Sequence, residues 1–296
     1  MSGDSGAVLC IGEMLWDCLP RGLFLGGAPL NVAAHLHQLG REVLPVSAVG
    51  RDFLGDEILR RINEWDIDTR FVQQLADKPT GVVQVELTDG QPSYTIVEDV
   101  AWDAIPASDA LRDAAASAAA MVFGTLGART TANRRLIGEL LEACTGLSVF
   151  DVNFRPPFDD HELVWEWAPH SSILKLNDHE LTELLDDAGG SEDLADRCRR
   201  LRDRGRCERV LLTAGATGAG MLSGDDWHWV DGEPVEVADA VGAGDSFAAA
   251  VIDGLLAGAE PLRVLRRAAR LAEFVASSDG ATPDHGDAPE AARQLA

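Results

Sequence analysis

Residues 239–247, Asp-Ala-Val-Gly-Ala-Gly-Asp-Ser-Phe, place small residues and a carboxylate where an anion can be handled. The alanine-rich run that follows favours a helix, so Gly242, Ala243 and Gly244 stand where a loop enters it. Amides at a helix start lack intrahelical partners, and small residues let an anion approach them. Asp245, in the first turn, suits a base that deprotonates a hydroxyl group attacking a phosphate. A helix cap after a tight turn is the simpler alternative.

Two carboxylates and a double glycine mark the first forty residues. Glu13 and Asp17 follow an apolar run at 7–12 that is typical of a buried strand. Strand ends face the ligand crevice in α/β sheets, so both are candidates for binding hydroxyl groups. A solvent-exposed loop acid is the alternative, and it is favoured more for Glu13 than for Asp17. Further on, Gly27 lets a ligand approach the backbone and Asn31 offers a donor and an acceptor, although a tight turn also explains the glycines.

Three polar side chains alternate along a strand predicted over residues 147–157, which ends in two prolines. They are Asp151, Asn153 and Arg155. Because alternate residues of a strand share a face, we expect all three to project to one side. A cation beside two polar groups suits hydroxyl groups and phosphate.

Two further predicted strands end in polar or glycine-rich turns. Asn177 and Glu180 follow the first, three residues apart, and can address one ion or one water cluster. An N-cap asparagine with an acidic first turn explains the same pair. The second strand starts at residue 209 and ends in a Thr/Gly-rich loop at 213–218.

Strands and helices alternate along the chain, which predicts an α/β fold with a mostly parallel sheet covered by helices on both faces. Period-two alternation at 81–88 and 93–97, with Asp89-Gly90 between, predicts a hairpin whose apolar face holds Val83, Val85 and Leu87. It indicates a small sheet projecting from the main body. The chain beyond residue 280 is predicted to be loose. The other predicted strands are 45–50, 121–126, 172–177 and one or two within 227–237, and the predicted helices are 32–40, 55–65, 111–120, 131–144, 178 onward, 246–256 and 261–277.

Composition narrows the class of protein. The 296 residues carry a net charge of −24, spread along the chain, which argues against nucleic acid and anionic membranes as partners. Five scattered cysteines without a CxxC pair favour reduced thiols in a cytoplasmic protein. We find no signal peptide and no membrane-spanning run. The P-loop, HExxH and first-strand GxGxxG patterns are also absent.

The chain resembles the ribokinase-like (PfkB) carbohydrate kinases over nearly its full length. Residues 239–250 are similar to the C-terminal motif of that family, and residues 26–31 with 40–50 are similar to its N-terminal motif. Residues 12–17, 26–29 and 151–157 are most similar to the fructokinase branch. The resemblance implies a single ribokinase-like domain over 1–296, with lid segments at about 15–25 and 81–103.

The resemblance also implies a role for each motif residue. Asp245 would be the catalytic base and also contact the sugar, and the amides of Gly242, Ala243 and Gly244 would form an anion hole. The sugar would be bound by Asp17, Gly27, Asn31 and Arg155. Glu180, through water, and Asn177 would hold Mg²⁺. The ATP phosphates would be lined by Asn177, Thr213, Gly215, Gly218 and Gly244.

ATP-dependent phosphorylation of a sugar hydroxyl group, with Mg²⁺, is the activity that the resemblance implies, and fructose is the first choice of substrate. The same chemistry on 2-keto-3-deoxygluconate, ribose or a nucleoside is the alternative, and a sugar-binding regulator without catalysis is a third. A homodimer formed through the lid is expected. Ala240 departs from the family's threonine or proline, and Arg270 and Glu273 replace small apolar residues. Because of these last two residues, the sequence does not define the adenine contacts or whether a monovalent cation such as K⁺ is bound.

Overall fold

Two β-sheets organise the chain, which a computed structural model describes over residues 6–19, 22–88, 91–187 and 193–295. The side chains of residues 19, 85–88 and 91–94 lie outside that description. The strands are β1 Val8–Ile11, β2 Leu15–Leu19, β3 Gly22–Gly26, β4 Val43–Gly50, β5 Val72–Leu75, β6 Gly81–Thr88, β7 Gln91–Ile96, β8 Ala120–Gly124, β9 Leu147–Asp151, β10 Ile173–Asn177, β11 Arg209–Thr213, β12 Gly218–Ser223 and β13 Asp226–Asp231. The helices are α1 Ala28–Gln38, α2 Phe53–Glu64, α3 Asp109–Ala116, α4 Thr131–Ala143, α5 His161–Trp167, α6 Asp178–Leu185, α7 Leu194–Gly205, α8 Ala243–Leu256, α9 Pro261–Ala276 and α10 Glu290–Arg293.

The larger sheet runs in the order β13-β12-β11-β10-β9-β8-β1-β4-β5. Its neighbours pair in parallel from β5 to β11, and β12 and β13 add two antiparallel strands at one edge. The predicted mostly parallel sheet is therefore confirmed. Such a sheet brings the carboxyl ends of its parallel strands to one edge, where a ligand crevice is expected.

Helices cover both faces of this sheet, as predicted. Val8 and Cys10 of β1 pack into a core with α1, α2, α8 and α9. Leu9 and Ile11 point the other way, into a core with α3 to α7. Burial on both faces explains why β1 is an unbroken apolar run.

The smaller sheet has the order β3-β2-β6-β7, and its β6–β7 hairpin confirms the one predicted from alternation. The predicted turn at 89–90, and the side chains of Val85 and Leu87, lie outside the described residues. Trp16 of β2 fixes this sheet to α2, because its Nε1 donates to the Leu54 carbonyl at 3.0 Å and Arg61 lies over its ring.

Several predicted boundaries are wrong. The strand predicted over 147–157 ends at Asp151, and Asn153 adopts a left-handed φ of 40° that breaks the alternation. The helix predicted to residue 120 ends at Ala116, and β13 ends at Asp231. The C-terminal stretch predicted to be loose contains α10, and Ala292 is buried against the core. In the described part of the chain, no helix is long and apolar enough to cross a membrane.

Candidate active site

A cleft of about 1100 Å³ lies between the smaller sheet and the carboxyl ends of β9, β10 and β11. The first residues of α8 and the segment 279–282 close its other side. Of the predicted site residues, those that line the cleft are Asp17, Gly27, Asn31, Arg155, Asn177, Glu180, Thr213, Gly242, Gly244 and Asp245. Gly215 and Gly218 flank a turn beyond Thr213 and do not line it, and neither does the Ala243 side chain.

The start of α8 requires a glycine. Gly242 is the N-cap residue, with φ 84° and ψ −12°, and a Cβ atom there would lie 2.3 Å from the Ala281 carbonyl oxygen. Residue 242 is therefore restricted both by its left-handed backbone and by its neighbour. The helix that starts here directs the amides of its first turn towards the cleft.

Asp245 lies in that first turn and is buried, with 9% of its surface exposed. Asn31 of α1 donates from Nδ2 to its Oδ2 at 2.8 Å. Burial raises the pKa of Asp245 to about 6, while the positive charge of Lys175 and the Asn31 hydrogen bond oppose that rise. A carboxylate with such a pKa is ionised at neutral pH and still accepts a proton readily.

A buried ion pair that the sequence analysis missed stands beside this helix start. Lys175 of β10 donates from Nζ to both Asp151 oxygens, at 2.9 and 2.8 Å, because the two residues are register partners on adjacent strands. Burial is the largest single effect and lowers the pKa of Lys175, but the charge and hydrogen bonds of Asp151, together with the charges of Asp245 and Glu180, outweigh it and the pKa is raised. A Cβ atom on Gly244 would lie 3.6 Å from Nζ, so a cation adjoins the α8 amides. One signal was available, since Lys175 is one of only two lysines and interrupts an apolar strand.

Glu13 is buried, so the alternative of a solvent-exposed loop acid is wrong for this residue. Its Oε1 accepts the Ala28 amide at 3.1 Å, and its Oε2 is buried without a partner among the described residues. Burial raises the pKa of Glu13 to about 7. The side chain thus contacts the start of α1, three residues before Asn31, and lines the cleft.

Asp17 is half-buried on β2 and faces the cleft. A Cβ atom at Gly26, on the paired strand β3, would lie 2.6 Å from the Asp17 Oδ2, so a larger residue there would displace the carboxylate. Burial raises the pKa of Asp17, and the positive charge of Arg155 opposes this. Arg155 is exposed at the rim, and its charge also acts on Glu13 and Asp245.

Asn177 and Glu180 form a capping box at the start of α6. The Asn177 side chain accepts the Glu180 amide at 2.9 Å, and Glu180 accepts the Asn177 amide at 2.8 Å. The second Glu180 oxygen accepts the Phe154 amide at 2.9 Å, which ties α6 to the turn after β9. The capping interpretation of this pair is therefore confirmed, and the predicted role in metal binding stays a prediction.

Arg270 and Glu273 of α9 hold the segment after β13 in place. They pair with each other at 2.9 Å, and Arg270 also pairs with Glu233, whose amide donates to Glu273 at 2.6 Å. Both charges are thus used within the protein, which accounts for the departure from small apolar residues at these positions.

Comparison with known proteins identifies the family. The sequence pattern described as "pfkB family carbohydrate kinase" matches residues 21–286. The chain belongs to the PfkB carbohydrate kinase family. Its mixed sheet with a separate small sheet is the ribokinase-like fold, as the resemblance implied.

Similar proteins span several substrates. An ATP-dependent 6-phosphofructokinase of Thermoanaerobacterium thermosaccharolyticum is 28% identical over 85% of this chain and 82% of that one. A fructokinase of Rhizobium leguminosarum bv. trifolii is 27% identical over 84% of this chain and 79% of that one. The crystal structure of an uncharacterized sugar kinase from Pyrococcus horikoshii superposes with a TM-score of 0.81, at 25% identity, over 98% of this chain and all of that one. With the family match, and with a nucleoside kinase also among the relatives, they make this chain a kinase of sugars or nucleosides.

Proposed function

We propose that this PfkB kinase transfers the γ-phosphoryl group of ATP to a hydroxyl group of a monosaccharide, with fructose as the first substrate. The observation that carries the proposal is the buried Asp245 carboxylate in the first turn of α8, held by Asn31 beside the amides of residues 242–244. The cleft is large enough to hold the triphosphate of a nucleotide together with a sugar.

Asp245 is the general base in this mechanism. The sugar oxygen attacks the γ-phosphorus and forms a new P–O bond, while the bond to the β–γ bridging oxygen breaks and its electron pair leaves with ADP. The hydroxyl proton passes to Asp245. Because Asn31 binds Oδ2, Oδ1 is the oxygen left to face the substrate.

The start of α8 stabilises the transferring group. Amides at a helix start carry partial positive charge that matches the equatorial oxygens of the phosphoryl group. Lys175 adds a full positive charge next to Gly244, and Asp151 keeps that ammonium fixed and protonated. The α8 amides and the Lys175 ammonium group are oriented before the substrate arrives, so little reorganisation is needed during transfer.

Asn177 and Glu180 are the residues that would hold Mg²⁺. Their oxygen donors are the type that this ion prefers, and it usually keeps several water ligands. Each Glu180 oxygen already accepts one backbone amide, so the remaining lone pairs suit metal-bound water better than the ion itself. When bound with ATP, Mg²⁺ neutralises phosphate charge.

Fructose is favoured by the motifs at 12–17, 26–29 and 151–157 and by the fructokinase relatives. The exposed Arg155 at the rim favours a substrate that carries an anionic group, so 2-keto-3-deoxygluconate stays an alternative. Fructose 6-phosphate is a new alternative, because a 6-phosphofructokinase is among the relatives. Ribose and nucleosides are further alternatives, since a ribokinase and a nucleoside kinase are also relatives.

A panel of these substrates, assayed for ADP release with Mg²⁺-ATP, tests the proposal. We expect one neutral hexose or pentose to stimulate ADP release far above the no-sugar blank, and product NMR would identify the phosphorylated hydroxyl group. ADP release at the blank rate with every substrate would contradict a kinase. Tight sugar binding without turnover would then favour the non-catalytic regulator.

We also propose a homodimer formed through the smaller sheet. Its edge strand β3 exposes Leu23, with 46% of the surface accessible. A four-stranded sheet with an apolar edge gains stability when a second sheet pairs with it.

A further inference from the structure

A buried histidine pair connects α1 to the C-terminal segment behind the start of α8. His35 is fully buried and His285 is nearly so. Nδ1 of His35 lies 2.9 Å from Nε2 of His285, and the ring planes are within 15° of parallel. On its other side, Nε2 of His35 lies 3.0 Å from the carbonyl oxygen of Ala281. Two histidines and one carbonyl group thus form a continuous hydrogen-bonded row.

The carbonyl group at the end of the row fixes the position of every proton. A carbonyl oxygen only accepts, so Nε2 of His35 carries a hydrogen. In a neutral ring Nδ1 is then an acceptor, so His285 donates from its own Nε2. The remaining nitrogen, Nδ1 of His285, is buried without a partner among the described residues. Burial, first of all, lowers the pKa of His35 to about 3 and that of His285 to about 4, so both rings are neutral.

The Ala281 carbonyl oxygen that receives this hydrogen bond also touches the start of α8. A Cβ atom on Gly242 would lie 2.3 Å from it and 2.7 Å from the Ala281 Cα. The segment 279–282 around Ala281 therefore packs against the start of α8 at Gly242, and we call this segment the wall. Ala281 lines the same cleft as Asp245.

Helix α1 holds this wall at more than one point. One turn before His35, Asn31 binds Asp245, so one helix contacts both the base and the wall. Near the end of the same helix, Gln38 accepts the His285 amide at 2.8 Å and donates to the Pro283 carbonyl at 3.2 Å. A shift of the wall relative to α1 would therefore move Gly242, and the helix start that carries Asp245, relative to Asn31.

We propose that His35 and His285 are positioning residues for phosphoryl transfer, which hold the Ala281 carbonyl against Gly242 and so set the start of α8, with its amides and Asp245, relative to Asn31 and the rest of the cleft. The proposal rests on the proposed kinase function. Neither histidine reaches the reacting atoms. Their effect passes through Ala281, and a displacement of about 1 Å at a reacting group costs roughly a hundredfold in rate.

Two substitutions of His285 test the role. His285→Leu removes the donor to His35, whereas His285→Gln keeps an N–H group that can replace it. We expect His285→Leu to lower kcat about ten- to a hundredfold with KM values for ATP and sugar within about threefold, and His285→Gln to stay within about threefold in kcat. Ala292→Gly in α10 is the matched control, because it loosens buried packing of the same C-terminal segment without touching the row.

The outcomes separate the two proposals. If Ala292→Gly, at an equal loss of Tm, lowers kcat as much as His285→Leu, the histidines only support the fold and the positioning role is wrong. That role is equally wrong if His285→Leu keeps kcat within twofold, or if His285→Gln does not restore it. A wild-type protein that turns over no sugar contradicts the kinase proposal itself. Ring ¹⁵N shifts at pH 7 give an independent check, since a charged His285 or a proton on Nδ1 of His35 would contradict the row.

Discussion

The two sides of the cleft are built from different chemistry. On one side, Asp245, Asn31, Lys175 and Asp151 are buried and joined by hydrogen bonds of 2.8 to 2.9 Å. On the other, the described side chains of the smaller sheet that line the cleft are apolar except for the carboxylate of Asp17. Fixed dipoles and charges act on developing charge, whereas an apolar cover excludes water and shapes the sugar site. Substitutions on the first side should lower kcat, and those on the second should alter KM and assembly.

The largest effect is expected from Asp245→Asn. The amide retains the shape of the side chain but accepts no proton, so kcat should fall by roughly a hundred- to ten-thousandfold while ATP and sugar still bind. Single-turnover kinetics together with calorimetric binding would measure both. A variant within a few-fold of wild type would remove Asp245 from the role of base.

Lys175→Met should rank second. It leaves Asp151 buried without its cation, which costs about 3–5 kcal/mol of stability, and removes the charge beside Gly244. The double variant Lys175→Met with Asp151→Leu should recover most of the stability, measured by urea unfolding, but not the activity. Recovery of both would make the pair purely structural.

Acidic pH should lower the activity by protonating Asp245, which lies on the first side of the cleft. Asp245 has a raised pKa of about 6, and its protonated form accepts no further proton. We therefore expect kcat/KM to be level above that value and to fall about tenfold per pH unit below it. A profile that stays flat down to about pH 4.5, with the protein still folded, would argue for a different base.

Leu23→Asp addresses the second side. It places a charge on the exposed edge strand β3, so we expect a shift from dimer to monomer and a few-fold rise in KM for the sugar, with kcat preserved. Light scattering after size exclusion measures the mass. Phe53→Asp is the matched control, because Phe53 is even more exposed but lies on α2, outside the smaller sheet. A wild-type monomer would contradict the dimer.

The smallest effect is expected from Glu180→Gln. One of the two backbone amides would lose its charged acceptor, for a loss of about 1 kcal/mol in stability. If Glu180 also orients Mg²⁺-bound water, the Mg²⁺ concentration for half-maximal activity should rise several-fold. An unchanged Mg²⁺ dependence would reduce Glu180 to a helix cap.

Local patterns predicted much of the fold. β1 is an unbroken apolar run, and β6 and β7 alternate with a period of two, so each pattern identified its strand from local residues alone. The amphipathic helix α1 was predicted within a few residues of its start. The end of β9 was not, because Asn153 leaves the strand through a left-handed backbone that polar alternation does not reveal.

Contacts between distant segments were harder to predict. The pairing of Lys175 with Asp151 depends on strand register, and the burial of Glu13 depends on how the start of α1 packs. Five of the nine residues 281–289 are Asp, Gly or Pro, so nothing local indicated that the histidine among them would be buried against α1. Such contacts arise only when the whole fold is assembled.

The contacts of α1 with the far end of the chain have a consequence for its synthesis. Asn31 and Asp245 are 214 residues apart, and His35 and His285 are 250 apart, so the base and its surroundings join segments that are distant in the sequence. A ribosome-bound chain that still lacks residues 281–285 has Asp245 and most of the cleft but no wall behind Gly242. We therefore expect phosphoryl transfer to start only after residue 285 has been synthesised, and a protease cut near residue 280 to lower it.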